Sequence, residues 1–220
     1  RRVLFRSDSG GPRTARDYLS DVVRLAESLP DRSAVLNLLS NRYEFFVGLS
    51  AAMLRRQVTL LPQSRAPYTL RRLAGEYSDS YCLHDPGEPV DGLESMTIQR
   101  NAGSAPWPMD VPRIPLDRVV AVAFTSGSTG QPVPNTKTWG ALTAVARATG
   151  ARLGITERER GTIIATVPHQ HMFGLEASVM LPLRYGWVMH AGRPLFPDDI
   201  RHALSTVPGE RIPHARRLRG

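Results

Sequence analysis

Three short apolar runs, Ser33–Leu39, Gln57–Leu61 and Ser80–His84, alternate with segments whose apolar residues recur every three or four positions. Residues that pack every second position belong to strands, and residues that pack every 3.6 belong to helices. Their alternation in one chain restricts it to βαβ units, hence to an α/β fold with a mainly parallel sheet. The helical segments are well marked. Thr14 to Leu29 carries Tyr18, Val22, Leu25, Ala26 and Leu29 at helical spacing, with Thr14 and Asp17 placed as a capping box and Pro30 as a stop. Asn41, with Glu44 three residues on, opens a second helix through Arg56, whose expected apolar face is Tyr43, Phe46, Val47, Ser50, Ala51 and Leu54. Pro67 to Glu76 forms a third.

Residues 85–117 read differently. They hold Pro86, Pro89, Pro106, Pro108, Pro112 and Pro115, the pattern of a long irregular connection. Regular structure resumes with Val119–Phe124, a β-branched apolar run expected to be a buried strand. A helix is expected over Thr138–Leu153, with Trp139, Leu142, Val145, Ala146 and Thr149 inward, and then a strand over Thr162–Val167. A helix over Phe173–Leu183, a strand over Trp187–Ala191 and a helix over Pro197–Val207 complete the pattern. Asp198 and Asp199 begin that last helix, where its dipole favours acids, so they read as caps rather than as a catalytic carboxylate pair. The expected organisation is one domain over 14–207, a leader over 1–13 outside the fold, and a basic irregular tail over 208–220.

Composition excludes several classes. No apolar run approaches the roughly 20 residues that span a bilayer, and the Arg1–Ser7 end has no secretory pattern. Cys82 is the single cysteine, so neither an intrachain disulfide nor a cysteine metal cluster can form, and a cytoplasmic location is the expectation. The formal net charge of +8 comes from arginines scattered along the chain, densest in the tail. They are not interleaved with aromatics and match no nucleic-acid module, which argues against a nucleic-acid partner.

The chemistry concentrates in the turn after the Val119–Phe124 run. Thr125, Ser126, Gly127, Ser128, Thr129 and Gly130 supply hydroxyl donors and close-approaching backbone, followed by Gln131 and Pro132. Such a turn suits phosphate, because glycine lets consecutive N–H groups face an anion. Lys137, the only lysine in the chain, is the expected point charge beside it. The turn is not the G-x-x-x-x-G-K-[ST] loop, since no lysine follows Gly130, nor is it G-x-G-x-x-G.

The T-S-G-S-T-G-Q-P string, directly after an apolar strand, resembles the phosphate loop of the adenylate-forming ligases: acyl- and aryl-CoA synthetases, peptide-synthetase adenylation domains and luciferases. Asn41, the Gly48–Ala52 helix segment and Leu60-Leu61-Pro62 stand in that family's order ahead of the loop. The family usually has Lys immediately after the proline, where this chain has Val133; Lys137 is assigned that duty from a longer loop, with the start of the 138–153 helix adding N–H groups beside it.

Pro168-His169-Gln170-His171-Met172-Phe173-Gly174-Leu175 resembles the family's next motif, a wall of the carboxylate-substrate pocket. By position His171, Phe173 and Gly174 match its His, aromatic and glycine. Read without the resemblance, His169 and His171 are a polar pair at a strand end, and two histidines without a carboxylate or cysteine do not make a metal site.

The resemblance implies ATP with Mg²⁺, a carboxylic-acid substrate, and coenzyme A or a carrier-protein phosphopantetheine as acyl acceptor. It covers roughly 14–207. The family's later Y-G-x-T-E segment, ribose-binding Asp, hinge and small C-terminal domain with its catalytic Lys are not in the 220 residues. The expectation is therefore an incomplete large N-terminal domain, with Mg²⁺ held mainly elsewhere, no complete catalytic set, and no activity alone. Two other classes fit the same residues: a non-catalytic nucleotide- or acyl-binding α/β protein, and a basic nucleic-acid binder.

Overall fold

In the computed structural model, which describes residues 3–6, 11–98, 111–126 and 132–207, local signals set most of the elements. The Thr14 backbone N–H donates to the Asp17 carboxylate at 2.8 Å and the Asp17 N–H donates to Thr14 Oγ1 at 3.3 Å, closing the box that starts α1 (Ala15–Ser28). Asn41 Oδ1 accepts from the N–H groups of Tyr43 (2.9 Å) and Glu44 (3.3 Å) to start α2 (Arg42–Leu54). Pro67 opens α3 (Pro67–Glu76).

Around these helices run β3 (Ala34–Asn37), β4 (Val58–Leu61) and β5 (Ser80–Leu83), all mutually parallel, with β7 (Val119–Ser126) parallel to β4 on the far side. Within 85–117 the chain adds a two-residue strand, β6 (Ser95–Met96), on the outer side of β5. β8 (Pro132–Thr138) folds back antiparallel to β7, and the sheet order is β6-β5-β3-β4-β7-β8.

The pleat sends successive residues to opposite cores. Val35, Leu61, Tyr81, Ala121 and Ala123 face a large core shared with α1, α2 and the segment around Leu175–Met180. Leu36, Leu60, Cys82, Val122 and Phe124 face a smaller core closed by Leu70 and Leu73 of α3. Burial in that second core pushes the Cys82 thiol up to about 12. Lying inside the large core, α2 is buried almost all round rather than along one stripe, and Leu54, expected on its inner face, is only half-buried.

Four points of the sequence reading are corrected. The leader proposed for 1–13 contributes to the fold where it is described: Val3–Arg6 form β1, and Phe5 is buried against Tyr18, Tyr43 and Phe46. β1 pairs with β2 (Arg13–Thr14) and with β10 (Val188–His190), which also holds β9 (Thr162–Ile163), giving a second sheet of order β2-β1-β10-β9. A four-residue strand whose main partner lies at the other end of the chain leaves no local signature. The strand expected over 162–167 is therefore short, and it belongs to this second sheet rather than the main one.

Residues 132–137 form an edge strand where a loop was expected; prolines are tolerated there because one side of the strand needs no ladder bond. The helix expected from Thr138, α4 (Trp139–Arg152), buries Leu142, Ala146 and Gly150, while Val145 is exposed. Of the tail expected over 208–220, nothing lies within the described residues.

The chain then runs through α5 (Met172–Leu175), a π-helical turn (Glu176–Met180) and α6 (Leu181–Tyr185) as one continuous rod, before β10 and α7 (Pro197–Thr206).

Candidate functional site

All the parallel strands end on one edge of the main sheet, and in open α/β sheets ligands lie beyond those carboxyl ends. Three loops gather there: 38–41 after β3, the Pro62 end of β4, and the turn after β7. Thr125 is exposed opposite Val133, and Ser126 pairs with Pro132 to close the hairpin. Gly127, Ser128, Thr129 and Gly130 lie outside the described residues.

The register does not bring Lys137 to the turn. It stands opposite Ala121, five ladder positions from the Ser126–Pro132 pair, about 17 Å along a strand that rises ~3.4 Å per residue. Nor does α4 lend its amides. Thr138, its cap, pairs with Val119 at the opposite end of β7. The first N–H groups are taken as well: Trp139 donates to the Arg118 carbonyl (2.9 Å), Gly140 to the Leu116 carbonyl (2.7 Å) and Ala141 to Thr138 Oγ1 (3.1 Å). The physical reason is β8: the expected loop is a strand, and a strand carries its far end away.

The segment 168–175 is pinned to the same sheet edge through a single carbonyl. His169 Nε2 donates to Leu39 O at 2.9 Å and Gln170 Nε2 donates to it at 2.7 Å. The His169 ring also packs against Phe45 at 4.5 Å between centroids. Burial pushes its imidazole down to about 4, and the charges of Arg42, Arg65 and Arg193 add to the effect; the bond to Leu39 works the other way.

His171 follows, exposed, and caps α5; Phe173 is 67% exposed, while Gly174 is buried. A Cβ on Gly174 would lie 1.9 Å from the Pro168 carbonyl oxygen and 3.1 Å from His169 Cα. Only glycine lets the start of α5 fold back on Pro168 in this way. The Gly174 carbonyl in turn accepts from the buried Ser178 hydroxyl inside the π turn. His171 and Phe173 are thus set on a short, tightly braced corner.

Sequence reasoning missed two supports of this corner. Gln170 and the Leu39 carbonyl carry no motif. Arg42 is fully buried at the start of α2, with Nη1 donating to the carbonyls of His190 and Gly192 (2.8 Å for the latter) and Nη2 to that of Ala165 at 3.2 Å. It ties the main sheet's edge to the end of β10. Burial lowers its pKa to about 10, and Arg193 adds to that. A lone arginine after an N-cap looks like a solvated residue, so nothing local marks it.

No group of three or more His, Cys, Asp or Glu side chains among the described residues is placed to hold a metal ion. Among the described residues, no helix is long and apolar enough to cross a membrane.

The family model described as AMP-binding enzyme matches residues 3–212. A 4-coumarate–CoA ligase of Halorhodospira halophila is 38% identical over 92 residues, 38% of this chain and 22% of that protein. An O-succinylbenzoate coenzyme A synthetase from Bacillus subtilis, solved with ATP and magnesium, superposes with a TM-score of 0.74 at 20% identity, over 97% of this chain and 64% of that one. ATP-bound MatB from Rhodopseudomonas palustris gives 0.73 at 16% identity, over 93% of this chain and 44% of that one. The chain thus spans less than two thirds of the length of each of these relatives. With the family model matching almost end to end, the chain belongs to the AMP-binding enzyme family.

Proposed function

We propose that this chain grips the triphosphate of ATP and walls the acid site of an ATP-dependent carboxylate-activating ligase. The observation that carries the reading is topological. The hydroxyl-and-glycine turn leaves β7 at the same sheet edge on which Leu39 anchors the 168–175 corner. A nucleotide held at the turn and an acid lying on the corner would share one crevice.

In the proposed reaction a carboxylate oxygen attacks the α-phosphorus of MgATP. The bond to the β-phosphate bridging oxygen breaks, pyrophosphate leaves, and an acyl-adenylate forms. A thiol, from coenzyme A or a carrier-protein phosphopantetheine, then attacks the acyl carbon, AMP leaves and a thioester remains. Negative charge grows on the departing pyrophosphate, so fixed hydroxyl and N–H donors are the right tools. Thr125, Ser126, Gly127, Ser128, Thr129 and Gly130 hold the β- and γ-phosphates; Mg²⁺ arrives as part of the substrate. Phe173 offers an aromatic face, Gly174 lets the backbone beside it pack against the Pro168 carbonyl, and His171 lies at the rim.

The test is calorimetric titration of the chain with MgATP, paired with pyrophosphate exchange. Thr129→Val should weaken MgATP binding by roughly tenfold or more, as expected for a lost donor to a charged group. Where exchange is measurable, it should fall by about 100- to 1000-fold, the cost of losing one donor to developing charge. Failure of the unmodified chain to bind MgATP, or equal affinity in the variant, overturns the assignment.

A further inference from the structure

Beyond the sheet edge, the end of β10 and the first half of α7 enclose a cleft of about 460 Å³, lined by His190, Gly192, Arg193, Asp198, Asp199 and His202 among others. That volume is in the range of small-molecule sites. We propose that this cleft is a binding site for an oxyanion group, a phosphate or a carboxylate, with Arg193 as its contacting cation and Arg42 as the charge beneath its floor. The proposal is independent of the nucleotide reading above.

A fully buried arginine is rare unless an acid pairs with it, because taking a cation out of water is costly. Arg42 has three carbonyl partners, and no acid is within salt-bridge distance of it among the described residues. Its Nε has no partner there either. Two of its acceptors, the carbonyls of His190 and Gly192, belong to residues that line the cleft, so the guanidinium lies directly under that surface.

Next in the chain stands Arg193, exposed, with no hydrogen bond or ion pair among the described residues. Neither guanidinium forms an ion pair among the described residues.

The two acids of the cleft are already engaged. Asp198 pairs with Arg201 on the same helix, and the Asp199 carboxylate accepts the Phe196 N–H at 3.2 Å. The start of α7 adds a partial positive charge to the same rim. Neither acid pairs with Arg193, whose planar fork fits a carboxylate or phosphate in bidentate fashion.

The probes are inorganic phosphate and succinate, titrated separately into the chain while the imidazole resonances of His190 and His202 are followed by NMR. Saturable shifts at both histidines, weakened by added sodium chloride, are expected. Arg193→Gln should weaken binding roughly 10- to 100-fold, the loss of a charge-assisted bond. Arg193→Lys should retain part of the affinity. Tighter phosphate than succinate identifies a phosphate-bearing ligand, and the reverse a second carboxylate; either supports the site. Arg193 is exposed and has no hydrogen bond or ion pair among the described residues, so the variants should keep the native near-UV circular dichroism. Shifts that do not saturate for either anion, or unchanged affinity in Arg193→Gln, overturn the proposal.

Discussion

Acidification should loosen the corner that carries His171 and Phe173, and His169 is the group that makes this measurable. Its side chain is buried between the Leu39 carbonyl and the Phe45 ring. Nδ1 has no partner among the described residues. Protonation would add a second donor with nothing to accept it, close to the positive charges of Arg42, Arg65 and Arg193. The ordinary histidine value is 6.5, and here the folded value is about 4.

The unfolded chain therefore binds the proton more readily, and stability falls as pH falls. The contribution is complete above about pH 6.5, about 1.4 kcal/mol smaller by pH 5.5, and lost by about 3 kcal/mol once pH is below 4. Other groups titrate in this window, so the comparison is with His169→Gln. The glutamine amide can donate to the same carbonyl, yet it never ionises. Urea unfolding at pH 7.5 and 5.5 reads the difference. The variant starts lower, having lost the ring packed on Phe45, but it should lose about 1.4 kcal/mol less than the parent between the two pH values. Equal losses in both proteins would refute the reasoning.

Three further outcomes test other parts of the structure. Gly174→Ala places a methyl into the Pro168 carbonyl, backbone against backbone, and should cost at least about 1–3 kcal/mol in urea unfolding; an unchanged midpoint would contradict the close approach. Asn41→Ala removes the acceptor for two N–H groups of α2 and should cost about 1 kcal/mol, while Asn41→Asp should recover most of it in the same assay. Lys137→Ala should change MgATP affinity by less than about threefold, since a half-buried charge about 17 Å along the strand from the Ser126–Pro132 pair lies beyond the Debye length at physiological salt; a tenfold loss in calorimetry would place its ammonium at the phosphates after all.

The corner also shows how a site can depend on residues that never touch a ligand. His169 and Gln170 share one carbonyl, and Gly174 closes the backbone behind them. Arg42 then couples that edge to β10 through bonds made only to main chain. Carbonyl acceptors are supplied by the fold rather than by side-chain identity, so such supports are invisible to motif reading.

Local chemistry by itself determined a good deal. Capping at Thr14 and Asn41, proline at the start of α3, and the two-residue period of the central strands act between near neighbours, so they can be read directly. The same holds for the residue types that make up the T-S-G-S-T-G string, which are read directly, and for the glycine at 174, which a close backbone approach demands. Only the tertiary structure decided what those elements face. The β1–β10 pairing joins opposite ends of the chain, so Phe5 became core rather than leader. Antiparallel pairing of β8 carried Lys137 and the α4 amides away from the turn. The burial of Arg42 and His169 exists only once two sheets meet. In each case the deciding contact spans a large separation in sequence, and a pattern of neighbouring residues holds no information about a partner it has not yet met.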